Sequence, residues 1–331
     1  MSPIEEKYAA MEAAEGFLGE ALEPVTAAGD GVGRYMHFQR GSIFWTVQTG
    51  AWEVHGALGE KWIELGAGQG LLGYPLTGEM STPDGQGRFQ HFQKGSLFCG
   101  PGSGAHALFG PIRDRWAQMG WENGFLGYPA ADEAPTPDGA GTCCQFQHGV
   151  IYWTPETGAH EVHGAVLERW AEMGREQGPL GYPMSDETPA PDGRGRFNHF
   201  QHGSIFWMPE TGAVAVLGAI RDAWTQLGRE LGCLGYPIAQ EQTTPGGAGC
   251  FSQFQNGSIY WTAETGAHEV HGAIRENWLD LGGVEGVLGY PVTDEIPTPE
   301  GMMCCSHFQG GSIYRNPETG ACDVEAAAAA A

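Results

Sequence analysis

The chain has 331 residues, with 40 acidic residues against 16 Lys and Arg and a formal net charge of −24. Nucleic acids and anionic membrane surfaces bind through clustered Lys and Arg, so this charge argues against both as partners. No apolar run is long enough for a signal peptide or a membrane span, which predicts no membrane insertion and a cytoplasmic location.

A unit of 54 residues occurs six times in the chain without an insertion or a deletion. Fixed-period repetition of this length predicts a repeat architecture. The sequence Leu-Gly-Tyr-Pro recurs at this spacing, with a degenerate copy at Leu18, and it starts at Leu72, Leu126, Leu180, Leu234 and Leu288. A turn glycine recurs with the same step, at Gly41, Gly95, Gly149, Gly203, Gly257 and Gly311.

The N-terminus begins with a predicted helix, because Ile4, Tyr8 and Met11 match the apolar residues of a helical segment at residues 110–120. Each complete copy then predicts a bend, a turn, three strands and a short helix. In the second copy the turn is residues 82–85 and the first two strands are 88–93 and 96–99. In the third copy the third strand is 159–163 and the helix 165–174, and a small extra strand near the Tyr-Pro bend is an option.

The sixth copy lacks the helix that the other copies carry, and the N-terminal helix can supply it. An open solenoid caps its ends with atypical repeats, whereas a ring removes both exposed edges. We therefore expect a mainly β fold with short helices that forms a closed, six-bladed, propeller-like ring over residues 1–324, completed by the N-terminal helix. Residues 325–331 are expected to be a tail.

The eight cysteines occupy scattered positions of the repeat, including the adjacent pairs Cys143–Cys144 and Cys304–Cys305. This distribution does not indicate a disulfide framework. We expect free, buried thiols in a reducing compartment, with one member of each pair filling an aromatic position in the core.

The repeated Leu-Gly-Tyr-Pro, Thr-Pro-Asp-Gly, Gly-Ser-Ile-Tyr-Trp and Glu-Thr-Gly-Ala-His sequences resemble the LGFP-repeat family over residues 4–324. The resemblance implies propeller-like domains that are often appended to actinobacterial cell-wall enzymes and assigned to wall attachment. This chain is expected to depart from that pattern, because its sequence predicts neither an export signal nor an attached catalytic domain. Stand-alone, unexported propellers resemble fruiting-body lectins of fungi, and some of these carry similar repeats.

Alternate copies differ in an ordered way on the third strand, where side chains alternate between two faces. One face carries Ala107 and Phe109 in the second copy and Ala215 and Leu217 in the fourth. Three polar pairs take these positions in the odd copies: Glu53 with His55, Glu161 with His163, and Glu269 with His271. Each pair is either a surface ion pair or part of a pocket for sugar hydroxyls, which need both donors and acceptors.

The second strand carries Trp45, Trp153 and Trp261 in the same copies. An indole can stack on the C–H face of a sugar, or it can belong to the core. The turn residues Asp84, Asp138 and Asp192 are weak calcium candidates, with turn capping as the alternative. The helix Trp residues and the repeated glycines are expected to be scaffold.

We expect a carbohydrate-binding protein, a lectin with about three equivalent sites that bind glycans or glycoproteins multivalently. No nucleophile with an activating base is present, so no enzyme activity is expected. No cofactor is expected to be required, calcium remains an option, and an oligomer is compatible with the sequence. The alternative function is a non-catalytic protein or cell-wall interaction scaffold.

Overall fold

Short helices alternate with small antiparallel sheets along the whole chain. The computed structural model describes residues 1–14, 16–299 and 302–326. These residues fall into two compact units, Met1–His163 and Gly164–Ala331.

The first unit contains three helices and three four-stranded antiparallel sheets. The helices are α1 (Pro3–Ala14), α2 (Gly56–Glu64) and α3 (Gly110–Gln118). The first sheet contains β1 (Thr26–Ala27), β2 (Arg34–Phe38), β3 (Gly41–Thr46) and β4 (Gly50–His55). The second contains β5 (Met80–Ser81), β6 (Arg88–His91), β7 (Gly95–Gly100) and β8 (Gly104–Phe109). The third contains β9 (Ala134–Pro135), β10 (Thr142–Phe146), β11 (Gly149–Thr154) and β12 (Gly158–His163).

The second unit repeats the same plan. Its helices are α4 (Gly164–Glu172), α5 (Gly218–Gln226) and α6 (Gly272–Asp280). The fourth sheet contains β13 (Thr188–Pro189), β14 (Arg196–Phe200), β15 (Gly203–Met208) and β16 (Gly212–Leu217). The fifth contains β17 (Gln242–Thr243), β18 (Gly249–Phe254), β19 (Gly257–Thr262) and β20 (Gly266–His271). The sixth contains β21 (Ile296–Pro297), β22 (Cys304–Phe308), β23 (Gly311–Arg315) and β24 (Cys322–Ala326).

The predicted three strands and one helix per copy are present, and each sheet has a fourth strand of two residues. This strand lies a few residues after the Tyr-Pro bend, and the bend itself makes a single bridge, such as Pro75 with Phe92. Sheet order follows chain order in every copy, so each sheet is a local meander. The described residues contain six separate sheets, none of which closes on itself.

The first sheet has two faces, and each face packs against a different helix. In the first sheet, Ile43 shares a face with Trp45 and Glu53; we call this the upstream face, because α1 packs on it through Ile4 and Tyr8. The opposite, downstream face carries Phe44 and Val54, which pack against Leu58 and Trp62 of α2. The same α2 residues contact Leu97 on the upstream face of the second sheet. Within each unit, the helices α2, α3, α5 and α6 thus each pack between two consecutive sheets.

A fully buried tryptophan anchors each of the five helices α2 to α6, as the sequence predicts. Its indole Nε1 donates to the carbonyl oxygen of the glycine in the Leu-Gly-Tyr-Pro bend, over 2.9 Å between Trp62 and Gly73. The bend is therefore fixed by the helix of the preceding copy, which explains why both recur together. The five residues, all at most 1% exposed, are Trp62, Trp116, Trp170, Trp224 and Trp278.

A glycine after each helix is required by space. A Cβ at Gly232 would overlap with the carbonyl oxygen of Leu227, although its φ of −80° suits any residue. Gly232→Ala is therefore expected to destabilise the protein by about 2 kcal/mol or more, because the backbone must move. Gly29→Ala is the control, since its Cβ would meet only the Gln69 side chain at 3.6 Å. Equal shifts in the urea midpoint for the two variants would contradict this explanation.

The chain end and the cysteines refine the sequence expectations. Strand β24 ends at Ala326, two residues beyond the expected domain boundary at residue 324, and residues 327–331 of the expected tail lie outside the described residues. All eight cysteines are free. Only Cys144 and Cys305, one from each adjacent pair, are buried; Cys233 is exposed, so burial of all the thiols was a wrong expectation. In the part of the chain described, no helix is long and apolar enough to cross a membrane.

Candidate functional site

The Glu–His pair of the fifth sheet is a hydrogen-bonded pair on the last strand, β20. Nδ1 of His271 lies 2.7 Å from Oε2 of Glu269, and the Glu269 side chain is only 2% exposed. Positions two apart on a strand share a face, which is why the period-two pattern found this pair. The Glu269 carboxylate is buried, so the pair is not simply a surface ion pair.

The loop of the next copy completes this cluster. Strand β20 lies at the edge of its sheet, and the backbone N–H of Glu295 donates to Oε1 of Glu269 over 2.8 Å. The Glu295 carboxylate lies 3.4 Å from Nε2 of His271 and accepts a hydrogen bond from Nε of Arg315 over 3.2 Å. The cluster is a continuous chain of charged groups, Glu269–His271–Glu295–Arg315.

The first sheet has a related cluster with different partners. The Glu53 carboxylate lies 3.0 Å from Nζ of Lys7 in α1 rather than on its own histidine. Nδ1 of His55 faces Glu79 of the next copy at 3.6 Å, and Nε of Arg88 lies 3.4 Å from the same carboxylate. Burial raises the pKa of Glu79, while the charges of His55 and Arg88 act in the opposite direction.

An aromatic ring covers the histidine of the first sheet, and together these residues line a cavity of about 450 Å³. The ring of Phe17 lies 4.6 Å from that of His55, edge to face. The remaining lining residues are Glu53, Glu79, Ser81 and Arg88. The cavity thus offers one apolar ring, two carboxylates, an imidazole, a hydroxyl and a guanidinium.

The third pair follows the same pattern within the first unit. Nδ1 of His163 lies 2.7 Å from Oε2 of Glu161, and the ring of Phe125 lies 4.6 Å from His163. Phe125 occupies the position in its copy that Phe17 occupies in the first. In the second unit, the Glu187 carboxylate is ion-paired with Arg196, as Glu79 is with Arg88.

The residues that the sequence analysis missed are Phe17, Phe125, Glu79, Glu295 and the arginines. The sequence did contain a signal for the loop glutamates and the arginines, because an arginine accompanies the loop glutamate only in the even copies. This arginine stands at one of two strand positions that lie opposite each other in the sheet, as Cys304 lies opposite Arg315. The residues concerned are Arg88, Arg196 and Arg315.

The intervening copies build an apolar version of this arrangement. The loop carboxylate Glu133 accepts the backbone N–H of Phe109 over 2.9 Å and the hydroxyl of Thr142 over 2.8 Å. Burial raises its pKa, and no arginine stands at position 142. We call the contact between the last strand of one copy and the loop of the next copy a junction. Polar and apolar junctions therefore differ both in the two residues on the strand and in the partner of the loop glutamate.

The predicted tryptophans do not join the Glu–His pairs. Trp45, Trp153 and Trp261 are half-buried and lie on the upstream face, where each packs into the cluster formed by the preceding helix. Trp261 also lines an apolar cavity of about 220 Å³ with Leu217, Glu241 and Cys250. Each tryptophan shares a sheet face with the glutamate of its own copy, but it packs toward the preceding helix and not into the Glu–His cluster.

The turn aspartates hold structural hydrogen bonds. Oδ1 of Asp84 accepts from the Thr82 hydroxyl and from the Tyr128 hydroxyl of the next copy, each over 2.7 Å. Oδ1 of Asp192 likewise accepts from Tyr236 over 2.6 Å, and Asp138 accepts from Thr136 over 2.8 Å. Among the described residues, no group of three or more His, Cys, Asp and Glu side chains is arranged to hold a metal ion. The geometry at these aspartates is that of turn capping.

The histidine of the fifth sheet gives a pH dependence with a defined sign. The hydrogen bond to Glu269, followed by the charges of Glu269 and Glu295, raises the pKa of His271 above 6.5, against burial and the Arg315 charge. Its stabilisation is therefore fully present below about pH 6.5 and is lost as the pH rises through the folded-state pKa. The stability advantage of the wild type over His271→Gln should shrink in urea titrations as the pH rises above about 6.5.

A second histidine provides the control with the opposite sign. Burial, followed by the Arg113 charge, lowers the pKa of His91, so its neutral form favours folding. The wild type should therefore lose stability relative to His91→Gln as the pH falls below about 6.5. Glutamine is tolerated in this column, where it occurs as Gln145 and Gln253. Parallel trends for the two variants would contradict the assignment.

Comparison with solved structures gives only weak likenesses. A candidate 6-phosphogluconolactonase from Bacteroides uniformis is 12% identical, with 91% of this chain and 82% of that chain covered and a TM-score of 0.13. The extracellular domain of a candidate one-component system, BT4673, from B. thetaiotaomicron is 10% identical, with coverages of 92% and 43% and a TM-score of 0.16. Scores this low establish neither a shared fold nor a shared function. No curated protein matches the chain.

The repeat itself is recognised throughout the chain. The LGFP repeat profile matches six consecutive segments, residues 18–70, 72–124, 126–178, 180–232, 234–286 and 288–331. The last five segments begin at the bend that the buried helix tryptophan fixes, and at the start of the first segment the Tyr8 hydroxyl donates to the carbonyl oxygen of Gly19. The protein belongs to the LGFP repeat family.

Proposed function

We propose that the protein is a non-catalytic carbohydrate-binding protein with about three equivalent sites, one at each Glu–His pair. The observation that carries the proposal is the cavity of about 450 Å³ in which Phe17 covers His55 beside Glu53, Glu79 and Arg88. Sugar hydroxyls both donate and accept hydrogen bonds, so a pocket for them needs carboxylates together with cationic donors. The ring of Phe17 offers the apolar surface that the C–H face of a sugar requires.

The charged groups of this pocket hold one another in place before a ligand arrives. Lys7 neutralises Glu53, while Arg88 and His55 flank Glu79. Preorganised polar groups bind a ligand without the cost of ordering flexible side chains. These pairings also engage the groups that could serve as an acid or a base, which favours binding over catalysis.

Several copies of such a site increase the avidity of the protein for a surface that carries many glycans. A single shallow sugar site binds weakly, but several sites that engage one glycan-bearing surface can raise avidity by roughly 10²–10⁴-fold. The pairs Glu161–His163 and Glu269–His271 supply the additional sites; Phe125 lies beside the former as Phe17 lies beside His55, whereas Cys233 takes the aromatic position in the latter. Glycans or glycoproteins on a surface are therefore the proposed partners.

We also propose that the six sheets form a closed, propeller-like ring with α1 as its sixth helix. The support is that Ile4 and Tyr8 pack on the upstream face of the first sheet as Leu58 and Trp62 pack on the second. Small-angle scattering tests this arrangement, because a closed ring and an open array of six repeats differ in maximum dimension. A profile that fits only an extended array would exclude the ring.

The test of function is a glycan array probed with the full chain, with and without a calcium chelator. Binding to glycans that share an epitope is the expected result, and calorimetry with that epitope should then give about three sites per chain. The chelator should change nothing, because the turn aspartates are occupied by hydroxyl groups. If the folded protein binds no glycan, the proposal fails and a protein or cell-wall interaction scaffold becomes the better explanation.

A further inference from the structure

A second cavity, of about 290 Å³, lies on the downstream face of the fourth sheet, between that sheet and α5. It contains none of the residues of the Glu–His sites. Its polar lining is formed by His199 and Ser204 of the sheet, Arg221, Asp222 and Thr225 of α5, and Arg229 beyond the helix.

Two arginines in one cavity are unusual in a chain with only 16 Lys and Arg residues. Arg221 is held by Asp222, to which its Nε and Nη2 donate over 3.2 and 2.9 Å. The nearest carboxylate to Arg229, that of Glu230, lies 3.9 Å away, beyond hydrogen-bond distance. A guanidinium has five N–H donors, so Arg229 retains donors for a ligand.

The histidine is placed to add a neutral hydrogen-bonding group. Nδ1 of His199 lies 2.7 Å from the hydroxyl oxygen of Ser204, which fixes the orientation of the ring. Burial, followed by the charges of Arg229 and Arg221, lowers the pKa of His199. Both guanidinium groups line the same cavity as this ring, where their charges would favour a negative ligand.

The second copy has the corresponding histidine, serine and first arginine but no counterpart of Arg229. His91 and Ser96 form the same 2.7 Å contact, and Arg113 binds Asp114 as Arg221 binds Asp222. The position of Arg229 is taken by Trp121, whose ring packs 5.1 Å from Trp116. In the sequence, only the fourth copy combines the histidine with both arginines.

We propose that this cavity binds an oxyanion, the phosphate, sulfate or carboxylate group of a small ligand, through Arg221 and Arg229. Paired guanidinium groups bind such groups through charge-assisted hydrogen bonds. One site per chain is implied, in contrast to the repeated Glu–His sites. The two proposals are independent, because a chain that binds no glycan can still bind an anion here.

The test is calorimetry of the full chain with sodium phosphate, sodium sulfate and sodium glucuronate at constant ionic strength, with glucose as the uncharged control. At least one anion should bind at one site per chain. The anions that bind identify the group, tetrahedral or carboxylate. Absence of binding by all three anions would overturn the proposal.

Substitutions of the two arginines test whether the anion binds in this cavity. Arg221→Ala and Arg229→Trp should each weaken binding by about tenfold or more, because each removes charge-assisted hydrogen bonds. Arg229→Trp copies the second repeat, and Arg229→Gln serves in its place if circular dichroism shows misfolding. Arg113→Ala, the matched change in the second copy, should leave binding unchanged. Unchanged affinity in both Arg229 variants would mean that the anion binds elsewhere, and the proposal would be wrong.

Discussion

Trp224→Ala is expected to lower the free energy of unfolding by about 3–5 kcal/mol, the range for truncating a fully buried large aromatic. The side chain is 0% exposed, and its ring lies 4.6 Å from Phe206 of the fourth sheet and 5.4 Å from Phe254 of the fifth. Its removal would therefore open a cavity between two consecutive sheets. Urea unfolding followed by far-UV circular dichroism measures the loss.

A second variant separates packing from hydrogen bonding. Nε1 of Trp224 donates to the carbonyl oxygen of Gly235 over 3.1 Å, and Trp224→Phe leaves that buried carbonyl without its donor. We expect Trp224→Phe to cost about 1–3 kcal/mol. The control is Trp207→Ala, because this strand tryptophan is only half-buried. If Trp207→Ala were as destabilising as Trp224→Ala, the helix tryptophan would not be the main anchor of the repeat.

The repeat explains how much of the fold could be predicted. Six aligned copies average out the irregularities of any one, so the 3.6-residue spacing of Trp116 and its neighbours and the period two of Glu161 and His163 both stand out. The two-residue strand is only an option in the sequence, because such a short element has almost no pattern of its own. Its place is fixed by backbone pairing, as between Met80 and Phe89.

The site was predicted in part, for a reason that lies in the packing. Period two places Trp45 and Glu53 on one face of their sheet, and both residues lie there. What covers each part of that face is decided by neighbouring elements: α1 lies over Trp45 on the interior strand, and the next loop lies beside Glu53 on the edge strand, at Gly78. Periodicity within one copy contains no information about the neighbour, so Phe17 and Glu79 were missed.

The strongest functional prediction concerns the replacement of a Glu–His pair by the apolar residues that the even copies carry at the same positions. Glu269→Ala with His271→Leu reproduces the Ala215 and Leu217 that the fourth copy carries at these positions. The buried carboxylate and its histidine are removed together, and Glu295 keeps its partner Arg315, so no unpaired charge is created. We therefore expect the fold to be retained while the glycan stoichiometry falls by one.

Extending the exchange to all three pairs should abolish the function. With Glu53→Ala and His55→Phe, and the corresponding changes of Glu161 and His163, calorimetric stoichiometry should fall stepwise to zero. Avidity for a glycan-coated surface should fall by roughly 10²–10⁴-fold when one site is left and be lost with the last one. Leu217→Phe, which exchanges one apolar junction residue for that of the second copy, should change neither. Full binding by a folded triple-junction variant would remove the Glu–His pairs from the site, because no polar pair of this kind would then remain to bind the sugar.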